Sequence, residues 1–167
     1  QSFTAMRYST LKKFLKNPYS FIKESNGNSY IDITPEKTNE QSVIPLSRVV
    51  VDILKKHNGK INPPSERYIN QTLKIIGKKA KINTPTPHRI TRGGVMVETL
   101  VNKYELISSQ TARRNLISNA KQTDLSDRVI STISGHSSVS AMEHYCRVEN
   151  IDKIKDALNH PFFKQTL

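Results

Sequence analysis

His136 and Tyr145, near the C-terminus, are candidates for a catalytic site, because both side chains can take part in catalysis and they lie close together in the sequence. The chain reads Ile133-Ser134-Gly135-His136, and Tyr145 follows nine residues after the histidine. A phenol stays protonated near neutral pH, so a tyrosine is a poor nucleophile unless its surroundings assist it. A tyrosine nucleophile that attacks a phosphate therefore needs a basic pocket, and the cations of that pocket must come from the rest of the chain.

Three upstream segments supply such cations in a fixed order. Arg7 lies in Thr4-Ala5-Met6-Arg7-Tyr8-Ser9-Thr10-Leu11, and Lys37 precedes the strand-like Val43-Ile44-Pro45-Leu46. Ser108-Ser109-Gln110-Thr111-Ala112-Arg113-Arg114 follows, with Arg113 23 residues before His136. As an ordered set, the blocks resemble the active-site motifs of the tyrosine recombinase (phage integrase) family, and particularly those of integrases of mobile genetic elements.

The resemblance implies a role for each matching residue. Tyr145 is the nucleophile, Arg7 and Arg113 bind the scissile phosphate, Lys37 is the general acid, and His136 donates a hydrogen bond to a phosphate oxygen. Gln110 stands where the family has a histidine. An amide can still donate a hydrogen bond, but it cannot carry a proton.

Two further positions depart from the family pattern. Ala5 stands where glycine is common, and Thr10 stands where an acid usually supports the first arginine. Neither departure moves Arg7 within its block.

The chemistry that the resemblance implies explains this set of residues. In the family the tyrosine attacks a DNA phosphate, forms a 3′-phosphotyrosyl bond and releases a 5′-hydroxyl, so the bond energy is stored covalently. Guanidinium groups stabilise the charge that develops on the phosphate oxygens. A lysine with a lowered pKa can protonate the leaving oxygen. We therefore expect no metal and no cofactor.

A second segment competes for the second arginine block. Pro87-His88-Arg89-Ile90-Thr91-Arg92 contains a histidine, but it lacks the His-x-x-Arg spacing and His88 lies 48 residues before His136. We therefore assign Arg113 to the block and place His88 in a basic strand or loop. Arg89, Arg92 and Arg114 are predicted to contact DNA.

Composition agrees with a nucleic-acid partner. The chain carries 26 Lys and Arg against 14 Asp and Glu, a net charge of +12. Such an excess attracts polyanions, although a ribosomal or packaging protein would share it. The single cysteine, Cys146, excludes an internal disulfide and suits a reducing cytoplasm. The five histidines lack metal-site spacing, and no run of 18 apolar residues predicts a membrane span.

Hydrophobic periodicity predicts the elements that must position these residues. We expect helices over about 3–16, 47–57, 63–79 and from Ser108 onward, and Arg7 should then project from the first of them. Residues 28–46 should form a hairpin with Lys37 at its tip, and Gly93-Gly94 should turn a second hairpin within an extended 81–107. Thr123 or Asp124 should cap a helix that ends at Gly135. Inward-facing positions are predicted at Tyr68, Ile69, Leu73 and Ile76 in one helix and at Leu125, Val129, Ile130 and Ile133 in another.

These observations together predict a mixed α+β fold that is mainly helical, namely the tyrosine-recombinase catalytic domain with its small antiparallel β-sheet. That domain should span residues 1–167, and the N-terminal core-binding domain of whole recombinases is expected to be missing from this sequence. The apolar tail at 150–167, which includes Ile151, Ile154 and Leu158, is expected to be exchanged between protomers, as it is in the family.

Three functions stay open at this point. The first is a site-specific recombinase or integrase, encoded by a prokaryote, phage or mobile element, that acts in the cytoplasm. It would bind double-stranded DNA at recombination sites as a homotetramer, whereas the isolated chain would be a monomer. The second is a type IB topoisomerase, which shares the chemistry but relaxes DNA. The third is a DNA-binding relative with a decayed catalytic pocket.

Overall fold

The computed structural model of the protein describes residues 1–35 and 39–143. The predictions made for Lys37, for Tyr145 and for the tail at 150–167 therefore lie outside the described residues. Arg7, Gln110, Arg113 and His136 lie within them.

The described chain combines six α-helices with two antiparallel sheets, as the predicted fold class requires. The helices are α1 (Tyr8–Lys16), α2 (Arg48–Lys56), α3 (Glu66–Lys79), α4 (Ser109–Ala120), α5 (Asp127–Ser134) and α6 (Val139–Glu143). The strands are β1 (Ile22–Ser25), β2 (Asn28–Ile33), β3 (Ser42–Pro45), β4 (Pro85–Arg92) and β5 (Val95–Asn102). Short 3-10 turns follow α1 at Pro18–Ser20 and β5 at Lys103–Leu106.

The first sheet has the order β1-β2-β3 and supports the main core. Alternation along β2 sends Ile31 and Ile33 inward, both almost fully buried, while Asp32 faces outward and pairs with Lys23 at 2.5 Å. The predicted 28–46 hairpin is confirmed by the pairing of β2 with β3, whereas β1 was not predicted. The core cluster is completed by Met6, which precedes α1, and by Phe14, Ile44 and Leu54.

A second cluster joins the three C-terminal helices. Ile117 of α4, Ile130 of α5 and Met142 of α6 are each fully buried and pack together. Because α4 carries the second arginine block and α5 leads to His136, this small core sets the distance between the two predicted site residues.

The start of α1 differs from the prediction. The helix begins at Tyr8, not near residue 3, and Arg7 is its N-cap residue with extended backbone (φ −63°, ψ 157°). The physical reason is Ala5, whose φ of +50° is left-handed and breaks any continuous helix. Arg7 therefore lies at the entrance to the helix. The left-handed backbone also accounts for the glycine that the family commonly has at this position.

Other predicted helix features were wrong in detail. The cap of α5 is Ser126, whose hydroxyl accepts from the Val129 amide, and not Thr123 or Asp124. Leu125 and Val129 are exposed, while Ile130 is buried as predicted. In α3 the predicted inward stripe is only partly buried, because Tyr68 and Ile76 are more than half exposed. Periodicity identified the helices but did not fix which face of each meets the core.

The second sheet is an exposed hairpin. Strands β4 and β5 pair in register from Pro85↔Asn102 to Arg92↔Val95 around the predicted Gly93-Gly94 turn. Both glycines have positive φ, of 55° and 82°, as a two-residue hairpin turn requires. The segment of His88, which was predicted to be a basic strand or loop, is thus a strand, and the 3-10 turn at Lys103–Leu106 connects the base of the hairpin to α4.

Candidate active site

Arg113 is the centre of the candidate site. It projects from α4 and is only 1% exposed, which is rare for an arginine. Its Nη1 donates to the Ala5 carbonyl at 2.5 Å, and its Nη2 donates to His136 Nε2 at 2.9 Å. One guanidinium therefore joins three segments that are distant in sequence: the first arginine block, α4 and the Gly-His block.

The backbone around Gly135 places His136 beside Arg113. Gly135 ends α5 in the left-handed conformation at φ +63°, and its Cα faces Ser42 of β3 so closely that a Cβ would come within 2.2 Å of the Ser42 hydroxyl. The residue after α5 is thus turned back toward α4. Both the turn and the close approach require a glycine.

The hydrogen bonds of His136 fix its tautomer. An arginine can only donate, so Nε2 accepts from Arg113 and the ring proton lies on Nδ1. Nδ1 donates to Ser134 Oγ at 2.7 Å, and the same hydroxyl donates to the Ile130 carbonyl at 2.7 Å. In this state the imidazole is neutral and presents no donor at Nε2.

The charges around His136 favour that neutral form. Burial, the Arg113 charge and the Arg7 charge lower the pKa of His136 from 6.5 to about 4, with burial the largest cause. The two arginine charges and the partial desolvation all disfavour a protonated, positively charged His136. The same effect shows that Arg7 lies close enough to share the electrostatic environment of the pocket.

We expect the lowered pKa of His136 to make the protein less stable in mild acid. The unfolded chain binds a proton on this residue near pH 6.5, whereas the folded one resists it down to about pH 4. The stabilisation is therefore fully present above pH 6.5 and lost as the pH falls toward 4. We expect a loss of about 1–2 kcal/mol, because solvent screens the partly exposed ring.

Melting temperatures at several pH values would measure this loss. His136→Gln should flatten the dependence between pH 6.5 and 4, and the exposed His57→Gln is the matched control. An equal slope in the wild type and in His136→Gln would show that other groups cause the acid sensitivity.

Arg7 and Gln110 contribute buried polar atoms without partners. Within the described residues, Arg7 Nη1 and Gln110 Oε1 are both inaccessible to solvent and form no hydrogen bond. Gln110 lies one helical turn before Arg113, so both side chains leave the same face of α4. Buried polar atoms are normally satisfied, and an unsatisfied one costs about 1–3 kcal/mol.

Helix α3 braces both arginine blocks, a feature that sequence reasoning missed. Ser109 Oγ donates to Glu66 at 2.6 Å and the Ser109 amide donates to Asn70 Oδ1 at 2.8 Å, which anchors the first turn of α4. The Tyr8 hydroxyl, next to Arg7, donates to the Pro64 carbonyl just before α3. The Ser109 amide is therefore occupied by Asn70, so the α4 N-terminus offers a phosphate fewer free amides than the sequence suggested.

Replacing Gly135 by alanine should disturb the site and the fold together. We expect a cost of about 3 kcal/mol, from the left-handed backbone and from the overlap with Ser42. Gly27→Ala is the matched control, because Gly27 has a similar φ of +75° but nothing within 4 Å of the added methyl group. Thermal melting should show a much smaller loss for the control. Equal losses would mean that the close approach to Ser42 is not restrictive.

The structure thus brings Arg113 and His136 into direct contact, with Arg7 near enough for its charge to lower the pKa of His136. Gln110 shares a face of α4 with Arg113, whereas His88, Arg89 and Arg114 line a separate groove beside β4. Arg92 lies at the last pair of the β4–β5 ladder, next to the turn.

Among the described residues no cluster of three or more His, Cys, Asp and Glu could hold a metal ion. No helix in the described part of the chain is long and apolar enough to cross a bilayer.

The backbone is similar to two solved site-specific recombinases. The match to the XerA recombinase has a TM-score of 0.62 at 14% identity and covers 96% of this chain and 55% of that one. The match to the XerH site-specific recombinase, solved bound to its palindromic difH substrate in a post-cleavage complex, has a TM-score of 0.58 at 15% identity and covers 94% of this chain and 42% of that one. The chain therefore spans about half the length of these proteins.

The similarity shows that the chain has a tyrosine-recombinase fold. No protein-family model and no curated protein sequence matches the chain. The roles of the individual residues thus depend on the geometry and on the order of the sequence blocks.

Proposed function

We propose that the chain carries the catalytic site of a site-specific DNA recombinase that cleaves and rejoins DNA through a 3′-phosphotyrosyl intermediate. The observation that carries the proposal is the convergence of Arg7, Arg113 and His136 from three distant segments, with a buried unpartnered nitrogen on Arg7. A pocket that concentrates positive charge and buried donors suits a phosphate. The recombinase fold supports the same class of substrate.

The proposed step is an in-line displacement at a DNA phosphorus. The Tyr145 oxygen forms the new bond to phosphorus, and the bond to the 5′-oxygen breaks. Lys37 protonates the departing 5′-oxygen, and the phenol proton passes to water, because Gln110 cannot accept it. In rejoining, the 5′-hydroxyl attacks the phosphotyrosyl bond and restores the phenol. The reaction consumes no external energy source, since each bond broken is replaced by one of similar energy.

A phosphate in the pocket would change the state of His136. In the free protein its Nε2 accepts from Arg113, so the neutral ring cannot donate to an oxygen at that atom. The negative charge of a phosphate would raise the pKa of the imidazole, and a protonated Nε2 could then donate. We propose that substrate binding exchanges the Arg113–His136 hydrogen bond for separate hydrogen bonds from both side chains to the phosphate.

The departures from the family pattern favour one alternative, a DNA-binding relative with weakened catalysis. Gln110 Oε1 has no hydrogen-bond partner in the described residues. Thr10, which is buried near the start of α1, brings no negative charge to support Arg7. Such a protein would bind DNA without forming a covalent bond. The topoisomerase alternative would form the bond but with little choice of sequence.

One experiment separates the three functions. The protein is incubated with a pool of nicked duplexes that contain a randomised segment, so that cleavage traps the covalent complex. The products are run under denaturing conditions, and the attached DNA is sequenced. Adduct at a restricted set of sequences supports a recombinase, and adduct without sequence preference supports a topoisomerase. DNA binding without adduct, across the whole pool, would overturn the proposed cleavage activity.

A further inference from the structure

We propose that Ser134 is a positioning residue of the candidate site, whose hydroxyl keeps a proton on Nδ1 of His136 whether the imidazole is neutral or charged. Ser134 is the last residue of α5, and its side chain is only 2% exposed. Its Oγ lies 2.7 Å from His136 Nδ1, because the left-handed turn at Gly135 folds the histidine back over the end of the helix. The inference deepens the proposed function, and it rests on that function only where a phosphate is involved.

The Ser134 hydroxyl serves His136 as a hydrogen-bond acceptor. A hydroxyl has a single proton, and this one is donated to the carbonyl of Ile130, four residues earlier in α5, at 2.7 Å. The carbonyl of Ser131, at 3.4 Å, is a second acceptor on the same side. The lone pairs of Oγ therefore remain for the imidazole, and Nδ1 must be the donor.

Arg113 acts on the other side of the ring. Its Nη2 is nearer to His136 Nε2, at 2.9 Å, than to Nδ1, at 3.4 Å, so Nε2 is the acceptor of the guanidinium. The hydrogen bonds thus run in one direction, from Arg113 through His136 and Ser134 to the Ile130 carbonyl. Bonds aligned in this way polarise one another, and the chain ends at the C-terminus of a helix, where the helix dipole is negative.

The bond to Ser134 is compatible with both protonation states of His136. When the neutral ring gains a proton at Nε2, that atom becomes a donor and must leave Arg113, whereas the bond from Nδ1 to Ser134 is unchanged. A charged imidazole has two donors, and Ser134 supplies an acceptor for one while a phosphate oxygen supplies the other. A hydrogen bond to the charged form favours that form, so Ser134 assists the protonation that phosphate binding requires.

The neighbouring charges oppose that protonation. Arg113 of α4 and Arg7 before α1 both lower the pKa of His136, in addition to burial. Strand β3 approaches the turn at Gly135 through the uncharged Ser42. Removing the Ser134 hydroxyl should therefore lower the pKa of His136 further and release the ring to the other tautomer.

The first test reads the tautomer directly. Protein labelled isotopically at the histidine ring nitrogens is studied by NMR near neutral pH, and the His136 signals are those that His136→Gln removes. We expect Nδ1 to carry the proton in the wild type and in Ser134→Thr, which keeps a hydroxyl, whereas Ser134→Ala should carry it predominantly on Nε2. A wild-type ring protonated on Nε2 would overturn the inference, and this outcome is readable even if Ser134→Ala does not fold.

Ser131→Ala is the matched control. Ser131 is also a serine of α5 and is only 9% exposed, but its hydroxyl donates to Met142 Sδ at 3.5 Å and not to the ring. Its removal should leave the tautomer of His136 unchanged. Equal changes in Ser131→Ala and Ser134→Ala would reject a specific role for Ser134, because a general disturbance of α5 would then explain both.

The second test uses inorganic phosphate as the probe and follows the pKa of His136 through the same ring signals. Saturating phosphate should raise the pKa in the wild type, because its negative charge favours the imidazolium. In Ser134→Ala the phosphate-bound pKa should be lower by about one pH unit, which corresponds to the loss of one hydrogen bond. Equal phosphate-bound pKa values in the two proteins would show that Ser134 does not support the charged ring.

Neither test requires cleavage, so this inference and the proposed function can fail separately. A tautomer that depends on Ser134, in a protein that forms no covalent adduct with DNA, would keep the positioning role and reject cleavage. An adduct formed by a protein whose His136 tautomer does not depend on Ser134 would keep cleavage and reject the positioning role.

Discussion

Tyr145→Phe is expected to abolish the covalent protein–DNA complex completely while changing non-covalent DNA affinity by less than about twofold. Only the nucleophilic oxygen is lost, and phenylalanine keeps the aromatic ring. Water is a far less well positioned nucleophile, so no slow residual adduct should accumulate. The measurement is denaturing electrophoresis of nicked substrate after incubation with each variant, combined with anisotropy on an intact duplex.

Two control variants make this result specific. Tyr19→Phe removes the hydroxyl of a tyrosine that is 60% exposed and should form adduct as the wild type does. Cys146→Ser tests the neighbouring thiol, the only one in the chain, and should also leave the adduct unchanged. An adduct that survives Tyr145→Phe but disappears in Cys146→Ser would assign the nucleophile to the cysteine and reject the tyrosine mechanism.

The elements with strong local signals were predictable from the sequence. The Gly93-Gly94 turn formed where two positive-φ residues were indicated, and α4 begins directly after Ser108, where a helix start was predicted. Both depend on interactions between residues a few positions apart, which a single sequence displays directly. The hairpin strand that holds Arg92 followed from the same turn.

Long-range contacts were not predictable in the same way. The left-handed Ala5 opposes the intrinsic preference of alanine, and its carbonyl binds Arg113 across 108 residues of sequence. Glu66 and Asn70 reach Ser109 from a helix that had no assigned function. No local sequence pattern indicates such partners, because these hydrogen bonds form only when the tertiary fold brings α3 against α4.

The same limit explains the errors in burial. Tyr68 and Ile76 share the helical spacing of an apolar stripe, yet α3 leaves both exposed. Gly77, which directly follows the last predicted stripe position, is the buried residue of this helix, and a Cβ there would approach Tyr104 and Ile107 within 3 Å. The close approach of the Gly77 backbone to the side chains of Tyr104 and Ile107 selected the buried face, and hydrophobicity alone cannot reveal that choice.

Arg113→Ala should lower the rate of cleavage by about 10²–10³, equivalent to about 2–4 kcal/mol, because it removes a positioned donor from the transition state. The substitution also frees the Ala5 carbonyl and His136, so a melting curve must accompany the rate. Arg113→Lys keeps the positive charge but loses the planar fork. A single ammonium cannot reproduce the bonds to both partners, so this variant should also cleave slowly while retaining more stability than alanine.

Arg92→Ala is the matched comparison, and it decides which segment provides the second arginine. Arg92 lies at the exposed end of the β4–β5 hairpin, remote in the chain from the Arg113–His136 contact. Its loss should weaken DNA binding and reduce the salt dependence by about one phosphate contact, with cleavage of bound DNA little changed. Single-turnover cleavage at saturating protein separates binding from chemistry. If Arg92→Ala stops cleavage under those conditions and Arg113→Ala does not, the buried guanidinium is a structural clamp for Ala5 and His136, and the catalytic cation lies in the hairpin.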